Sequence, residues 1–285
     1  MTKGVERRRN VHDAIFADEI GIEYGVVGDH RLWTAYQPIF APRDAVLDPV
    51  AVEALMQPRL SGEVVPVDTF LAGLAAEDRL FVETLSRTLH IRNFRNLDAQ
   101  GLQLFFNYDP CVNDHPGRAL ADLANLREQI EECAMDPADL VCEIIEKEAA
   151  DDDLLAEIVQ EMRRLGLRVA IDDFGSDHST EDRLRLLQPD IVKIDGGWFA
   201  ELCRHTAAER LFRALLSLLH ERGAKVLVEG IEQPLHLRVA LDGGADMLQG
   251  FLLGRAAPAG AIFDETPLEL DRLLYQGSNV ISLFG

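Results

Sequence analysis

The stretch DDDLLAEIVQEMRRLGLRVAIDD, residues 151–173, joins an amphipathic run to a short apolar run that ends in two acids. Three aspartates open the first run, and Arg163, Arg164 and Gly166 close it. Acids at the start and bases at the end of a helix suit its dipole, and glycine suits the position just after the last turn. The stretch therefore predicts a helix followed by a buried strand, Arg168–Asp172.

The same alternation of amphipathic and apolar runs extends along the chain. Eight apolar runs are predicted as strands, and most are apolar at successive positions, as in a parallel sheet buried on both faces. These runs are Trp33–Ile39, Val50–Leu55, Leu102–Asn107, Leu140–Ile145, Arg168–Asp172, Ile191–Asp195, Lys225–Glu229 and Met247–Leu252. Further helices are predicted at Arg118–Cys133 and Ala207–Arg222, with two more between Asp68 and Arg95. Eight such strands favour a TIM-like (β/α)8 barrel of the α/β class over an open sheet, although periodicity alone does not establish closure.

The domain organisation follows from this pattern. Residues 31–263 are assigned to one barrel domain, because the sequence contains no internal repeat, linker or low-complexity segment. Residues 1–30 are an N-terminal extension, in which Asn10–Ile20 is predicted either as a short amphipathic helix or as partly ordered chain.

Residues 264–285 are predicted to form a C-terminal helix and a tail. The helix is placed at Pro267–Tyr275, with Thr266 as its N-cap and Glu269 completing a capping box. The tail contains small and polar residues typical of a chain end.

Composition excludes several classes of protein. The chain has 285 residues and a formal net charge of −21, which argues against DNA or RNA as a partner. It contains no apolar run long enough to cross a membrane and no signal-peptide core, so a cytoplasmic location is expected. Its four cysteines form no C-x-x-C pair and are expected to be reduced thiols. An anionic substrate would need bound cations in so acidic a protein.

Polar side chains lie at the C-terminal ends of the predicted strands. They are Glu53, Asn107, Glu143, Glu146, Asp172, Asp173, Lys193, Asp195, Glu229, Glu232 and Gln249. In a TIM barrel these ends converge on the face that carries the active site, and converging carboxylates repel each other unless a cation binds. Oxygen ligands favour Mg²⁺ or Mn²⁺, and the eight histidines lack the spacing of a zinc site. Two such metals beside a carboxylate base would make a phosphodiester-hydrolysing site, whereas Asp195 and Glu232 fit structural hydrogen bonding equally well.

An ordered series of short motifs, placed on these strand ends, resembles the bacterial EAL domain family. The motifs are Tyr36-Gln37-Pro38-Ile39, Glu53-Ala54-Leu55, Asp172-Asp173-Phe174-Gly175, Lys193-Ile194-Asp195, Glu229-Gly230-Ile231-Glu232 and Gln249-Gly250-Phe251. The resemblance extends from Trp33 to Pro258 and implies a TIM-like barrel whose first strand runs antiparallel to the others. It also implies hydrolysis of cyclic di-GMP to linear pGpG with Mg²⁺ or Mn²⁺, two ions per active site.

The resemblance also implies a role for individual residues. The implied metal ligands are Glu53, Asn107, Glu143, Asp172 and Asp173, with Asp172 bridging the two ions. Glu229 would be the general base or a ligand of the second metal, Lys193 would hold the attacking water, and Gln249 would orient the cluster. Glu146 would fix the loop after the fifth strand. The residues implied to contact the nucleotide are Gln37, Leu55 and Gln249.

The sequence departs from the family pattern in two places. Gln57 stands where the family usually has an arginine that binds a substrate phosphate, and Arg59 is nearby. In the loop Ser176–Thr180, Asp177 replaces a glycine. These departures favour an alternative, a catalytically weak or inactive domain that acts as a cyclic di-GMP receptor or a protein-interaction module. Members of the family often dimerise, so a homodimer is a further expectation, although the sequence has no separate signature of one.

Overall fold

The computed structural model describes residues 10–97, 99, 101–110, 116–144, 152–175, 181–205 and 208–275. The strands in these residues are β1 (Ile15–Ala17), β2 (Glu23–Val27), β3 (His30–Arg43), β4 (Val46–Leu60), β5 (Glu63–Val64), β6 (Gln103–Tyr108), β7 (Leu140–Ile144), β8 (Arg168–Phe174), β9 (Ile191–Ile194), β10 (Lys225–Val228), β11 (Met247–Leu248), β12 (Ala257–Pro258) and β13 (Leu268–Glu269). The helices are α1 (Val67–Ala72), α2 (Ala76–Phe94), α3 (Pro116–Glu132), α4 (Asp152–Arg164), α5 (Glu181–Leu187), α6 (Gly196–Leu202), α7 (Ala208–Glu221), α8 (Pro234–Gly243) and α9 (Leu270–Tyr275). Short 3-10 helices occupy Val11–Ala14, Arg95–Leu97 and Pro137–Asp139.

Eight of these strands close into a barrel. Strands β4, β6, β7, β8, β9, β10 and β11 pair in that order, each parallel to the next. Strand β3 completes the ring by pairing antiparallel with both β4 and β11. Helices connect the parallel strands and cover their outer face. The prediction of an α/β TIM-like barrel is confirmed.

The barrel interior contains one apolar layer to which every barrel strand contributes a single residue. The layer consists of Ile39, Ala51, Phe105, Val141, Ala170, Ile191, Leu227 and Met247. A larger apolar cluster lies outside it, between the strands and the surrounding helices. Because side chains alternate along a strand, the inner layer fixes which residues of each strand point into the barrel.

The first two barrel strands are much longer than predicted. The apolar runs Trp33–Ile39 and Val50–Leu55 are the central parts of β3 and β4, which span 14 and 15 residues. A two-residue turn joins them, with Asp44 in the left-handed region at φ 53°. The other ends of both strands continue past the barrel as an antiparallel hairpin, which was missed because polar residues such as Arg31, Gln57 and Arg59 lie outside the apolar runs.

The N-terminal residues form strands within a stretch that was predicted either as a short helix or as partly ordered chain. Within Asn10–Ile20, only Val11–Ala14 is helical, as a 3-10 turn, and β1 follows it directly. The Asp18 side chain accepts hydrogen bonds from the backbone N–H groups of Ile20 and Ile22, which stabilises the turn between β1 and β2. Both strands pair antiparallel and extend the sheet at β3, so the alternative of an amphipathic helix is wrong.

The other predicted helices are present, with one correction at the C-terminus. Helices α1, α2, α3, α4 and α7 lie where the sequence placed them. The last helix starts at Leu270, because Leu268 and Glu269 pair with β4 instead, and Thr266 is not its N-cap. Cys133, Cys142 and Cys203 are unpaired thiols, in line with expectation, and none of the described helices is long and apolar enough to span a bilayer. Cys111, Glu146, the loop 176–180 and the two chain ends at 1–9 and 276–285 lie outside the described residues.

Candidate active site

A polar layer lies directly above the apolar layer of the barrel. Each member follows the apolar residue of its strand by two positions, except on β3, where it precedes that residue by two because the strand runs in the opposite direction. The members are Gln37, Glu53, Asn107, Glu143, Asp172, Lys193, Glu229 and Gln249. All eight were predicted as site residues, and strand alternation brings them to one end of the barrel.

The ammonium group of Lys193 is surrounded by four carboxylates of this layer. Its Nζ lies 2.6 Å from Glu143, 2.8 Å from Glu229, 2.9 Å from Asp172 and 3.5 Å from Glu53. The lysine is only 1% exposed, and Glu143 is fully buried. One buried cation therefore holds together acids contributed by four different strands.

Burial and repulsion from neighbouring carboxylates raise the pKa values of Glu143 and Glu229. Burial raises the pKa of Glu143 well above its usual range, and repulsion from Glu53 and Asp172 adds to the effect of burial. Burial also raises the pKa of Glu229 to about 7, although Lys193 opposes that rise. Burial alone would lower the pKa of Lys193, but the surrounding carboxylates, Glu143 foremost, hold it well above its ordinary value. The lysine is therefore charged, and Glu229 can exchange a proton near neutral pH.

Asp172 and Asp173 both reach the site because strand β8 is irregular at this point. The pairing of β8 with β9 shifts between Ile171 and Phe174, and Asp173 adopts a left-handed backbone with φ 56°. Consecutive residues of a regular strand would point to opposite faces, and the bulge removes that restriction. Carboxylate oxygens of Asp172, Asp173 and Glu229 lie within 4.8 Å of one another, close enough to share a cation.

Close packing of Gly230 against Gly196 fixes the position of Glu229, which directly follows β10. Gly230 has φ 67°, and a Cβ atom there would lie 2.7 Å from the Cα of Gly196, the first residue of α6. His236 on α8 lies 3.1 Å from the carbonyl oxygen of Gly230 through its Nδ1 and supports the same turn. The chain can therefore turn sharply after Glu229 only with glycine at position 230.

The remaining predicted residues occupy the rim of the site. Gln249 donates a 2.8 Å hydrogen bond from Nε2 to Glu53, and Gln37 donates one to the carbonyl oxygen of Gly254 at 3.2 Å. Asn107 and Leu55 are half-buried at the barrel mouth. No feature of the sequence indicated Gly254 as a partner, since it contributes only backbone.

Two further predictions concern residues close to this rim. Asp195 caps helix α6 by accepting a hydrogen bond from the backbone N–H of Trp198, as a structural residue would. Arg59 donates a 2.7 Å hydrogen bond to Gln57 at the position where the family usually has an arginine. The guanidinium of Arg59 is therefore held beside the position of that arginine, although it comes from a residue two positions further along the strand.

The donor set fits divalent cations. Oε2 of Glu143 is buried and accepts no hydrogen bond within the described residues, and the buried Oε1 of Glu143 and Oδ1 of Asp172 contact only the Lys193 ammonium there. Buried acceptors are normally satisfied, so these oxygens have unused capacity to bind a cation. Five carboxylates and one ammonium leave the site with an excess of negative charge, and all the donors are hard oxygens, as Mg²⁺ and Mn²⁺ prefer.

Comparison with curated proteins points to one signalling family. Residues 27–256 match the family model described as the EAL domain. The chain is 27% identical to the cyclic di-GMP phosphodiesterase NbdA of Pseudomonas aeruginosa over 244 residues, which are 82% of this chain and 30% of that protein. It is 30% identical to the probable cyclic di-GMP phosphodiesterase PdeA of Escherichia coli over 123 residues, which are 43% of this chain and 17% of PdeA. The chain thus spans a third or less of the length of these relatives.

Solved structures share the architecture. The Bacillus subtilis YkuI protein, in complex with substrate cyclic di-GMP and calcium, superimposes with a TM-score of 0.70 at 25% identity, covering 82% of this chain and 57% of that one. Klebsiella pneumoniae BlrP1, in a manganese and cyclic di-GMP complex, gives a TM-score of 0.68 at 25% identity, covering 84% and 57%. Together with the family match over most of its length, the barrel and its polar layer place this chain in the EAL domain family.

Proposed function

We propose that this chain hydrolyses cyclic di-GMP to linear pGpG in a reaction that depends on divalent cations. The observation that supports the proposal best is the polar layer, in which four acids surround the single buried ammonium of Lys193 and a fifth, Asp173, adjoins them. The similar proteins named as cyclic di-GMP phosphodiesterases, and the similar structures with cyclic di-GMP and calcium or manganese, support the same ligand.

We assign the metal-binding role to Glu53, Asn107, Glu143, Asp172 and Asp173. Two bound Mg²⁺ or Mn²⁺ ions would lower the pKa of a water and offset the negative charge of the phosphodiester. Glu229 removes the proton from the attacking water, because its carboxylate lies beside those of Asp172 and Asp173, which would hold the metals. Lys193 holds the carboxylates of Glu143, Asp172 and Glu229 around the space that this water would occupy, and Gln249 keeps Glu53 in place.

In the proposed hydrolysis, one bond to phosphorus forms and another breaks in a single step. The water oxygen bonds to phosphorus while the bond from phosphorus to the 3′ oxygen of one ribose breaks. One water proton passes to Glu229, and the 3′ oxygen leaves with a proton from solvent. The product is the linear dinucleotide with a terminal 5′ phosphate, which is pGpG.

Substitution of Glu229 by glutamine tests the assignment of the base. Glutamine keeps the size of the side chain but cannot accept the proton, so we expect turnover with Mn²⁺ to fall by about 10²- to 10⁴-fold. Binding of cyclic di-GMP in Ca²⁺ should persist. Glu221→Gln, which changes an exposed glutamate at the end of helix α7, is the matched control and should keep full activity. Normal rates in the Glu229→Gln variant would exclude this residue as the base.

A second candidate function is a receptor that binds cyclic di-GMP without hydrolysing it. The observation in its favour is Gln57, which cannot bind a phosphate as the arginine usual in the family does. A receptor would bind cyclic di-GMP in Mn²⁺ and return it intact after prolonged incubation. Chromatography of the nucleotide after binding separates the two functions.

A further inference from the structure

A cavity lies on the outer side of β3, away from the polar layer. Residues 253–268 run from β11 to β13 across this side, and β12 within them pairs with β3 at Ala35 and Tyr36. The cavity between this segment and β3 has a volume of about 230 Å³. Its lining is mostly apolar and includes Pro38, Phe40, Leu97, Leu253, Phe263 and Leu268. Because an apolar cavity of about 150 Å³ already holds a benzene molecule, this one has room for an aliphatic side chain.

A fully exposed isoleucine stands at the rim of this cavity. Ile262 belongs to the lining and is nevertheless 98% exposed. Ile20, which is 76% exposed, lies beside the same segment, since its Cδ1 is 3.6 Å from the position that a Cβ on Gly260 would take. The small apolar residues 256–258 are exposed as well. Single exposed apolar residues are ordinary, but several together next to an open cavity mark an interaction surface.

Two charges of opposite sign lie at the same rim. Arg255 and Asp264 both line the cavity and are exposed. The guanidinium carbon of Arg255 lies 4.2 Å from the centroid of the Phe251 ring, and Asp264 accepts a hydrogen bond from the backbone N–H of Thr266. Both side chains are therefore held in position, and neither forms an ion pair with another of the described residues. The rim thus offers one cation and one anion to a binding partner.

We propose that this face binds a second copy of the chain in a two-fold symmetric dimer. The Ile262 side chain of each copy enters the cavity of the other, and each Arg255 pairs with the partner's Asp264. A two-fold interface uses the same patch on both copies, so the patch must carry each feature together with its complement. This face does so twice, with a projecting side chain beside a cavity and a cation beside an anion. A small apolar ligand would fill the cavity but leave Ile262 exposed and both charges unpaired.

Sedimentation equilibrium over a range of protein concentrations at low ionic strength tests the proposal. We expect the wild-type chain to pass from monomer to dimer as its concentration rises. Ile262→Asp should weaken association about 10³-fold, because each dimer loses two central apolar contacts. Arg255→Glu should weaken it about 10-fold by placing two acids opposite each other at both ends of the interface. Combining Arg255→Glu with Asp264→Arg restores opposite charges and should recover the wild-type dissociation constant.

Controls separate loss of this interface from loss of the fold. Leu211→Asp changes a 72% exposed leucine on α7 and should dimerise as wild type does. All the substituted side chains are exposed, so each variant should melt at the wild-type temperature. A wild type that stays monomeric at every concentration, a dimer that Ile262→Asp leaves unchanged, or a double charge reversal that recovers no association would overturn the proposal. Loss of the dimer in Leu211→Asp alone would place the interface on α7 and overturn it as well. The inference does not depend on hydrolysis of cyclic di-GMP, which is assayed separately on the same preparations.

Discussion

Replacing Lys193 by methionine perturbs the centre of the polar layer. Methionine keeps the length and apolar character of the stem but removes the ammonium, the buried cation that contacts Glu53, Glu143, Asp172 and Glu229. In the absence of divalent ions these carboxylates would lose their cationic partner. We expect the variant to fold into the same barrel but to be less stable than wild type.

The magnitude follows from burial. Removing one partner of a buried ion pair destabilises a protein by about 3–5 kcal/mol. Asp172 and Glu229 face the barrel mouth and retain some contact with solvent, so the lower value of about 3 kcal/mol applies. For a chain of 285 residues, an unfolding entropy of about 2.1 cal/mol/K per residue converts this loss into a midpoint about 5 °C lower.

The assay is thermal unfolding at pH 7.5 in EDTA, followed by circular dichroism. Lys225→Met, which changes an exposed lysine at the start of β10, is the matched control and should melt as wild type does. Addition of Mn²⁺ should reduce the difference in unfolding midpoint between wild type and Lys193→Met, because a cation bound to the carboxylates replaces the missing positive charge. If Lys193→Met unfolds in EDTA at the same temperature as wild type, the ammonium of Lys193 does not stabilise these buried carboxylates.

Two further predictions concern the turn after Glu229 and the acid stability of the fold. Gly230→Ala should lower the free energy of unfolding, measured by urea titration, by more than about 2 kcal/mol. Alanine is strained at a positive φ, and its Cβ would clash with the backbone of Gly196. Gly244→Ala has a positive φ but no atom within 4 Å, so it should cost less, and equal losses would contradict the close-contact argument. Burial lowers the pKa of His90 from its ordinary value near 6.5 to about 3. Between these two pH values the unfolded chain binds a proton at His90 that the folded chain does not. The free energy of unfolding therefore decreases as the pH falls from about 6.5 towards 3. The expected decrease in the free energy of unfolding is about 2 kcal/mol between pH 8 and pH 5. His90→Gln should abolish this decrease, whereas His205→Gln, which changes an exposed histidine, should retain it. Identical dependence of stability on pH in the two variants would contradict the assignment to His90.

Most of the polar layer could be predicted from the sequence because its members interrupt or end apolar runs, as Glu143 and Asp172 do. Which residues of each strand point inward became known only from the structure, because most of these runs are apolar at successive positions. Acids at such positions are too costly in a barrel interior to be incidental. Closure of the barrel needed the structure, because it depends on pairing between β3 and β11, which are more than 200 residues apart in the chain.

The elements that the sequence did not predict depend on contacts with distant parts of the chain. The strands β1 and β2 are short and gain their stability from pairing with β3 and from packing on α2, whereas a window around Val11 has helix-like spacing. Likewise, Thr266 and Glu269 match a capping box, but pairing of Leu268 with Leu47 on β4 delays the helix. In both places tertiary pairing overrides a local preference.

The stacked rings of Phe16, Tyr24 and Trp33 were missed for a related reason. The sequence placed Trp33 only at the start of a predicted strand, since a lone tryptophan gives no signal of function. Its stacking on Tyr24 becomes visible only once β2 is known to pair with β3. The alternation Arg31, Trp33 on one strand and Gln57, Arg59 on the other would have indicated a shared face, had the hairpin been predicted at its full length.

The most direct test of the proposed chemistry is hydrolysis in water enriched in ¹⁸O. The purified chain is incubated with cyclic di-GMP and Mn²⁺, and a parallel control contains EDTA. The nucleotides are then separated by chromatography, and their masses are measured by mass spectrometry. We expect pGpG that carries one ¹⁸O on its 5′ phosphate in Mn²⁺, and intact cyclic di-GMP in EDTA. Intact substrate in Mn²⁺, under conditions where dialysis shows the dinucleotide bound, would contradict hydrolysis at the polar layer and identify the chain as a receptor.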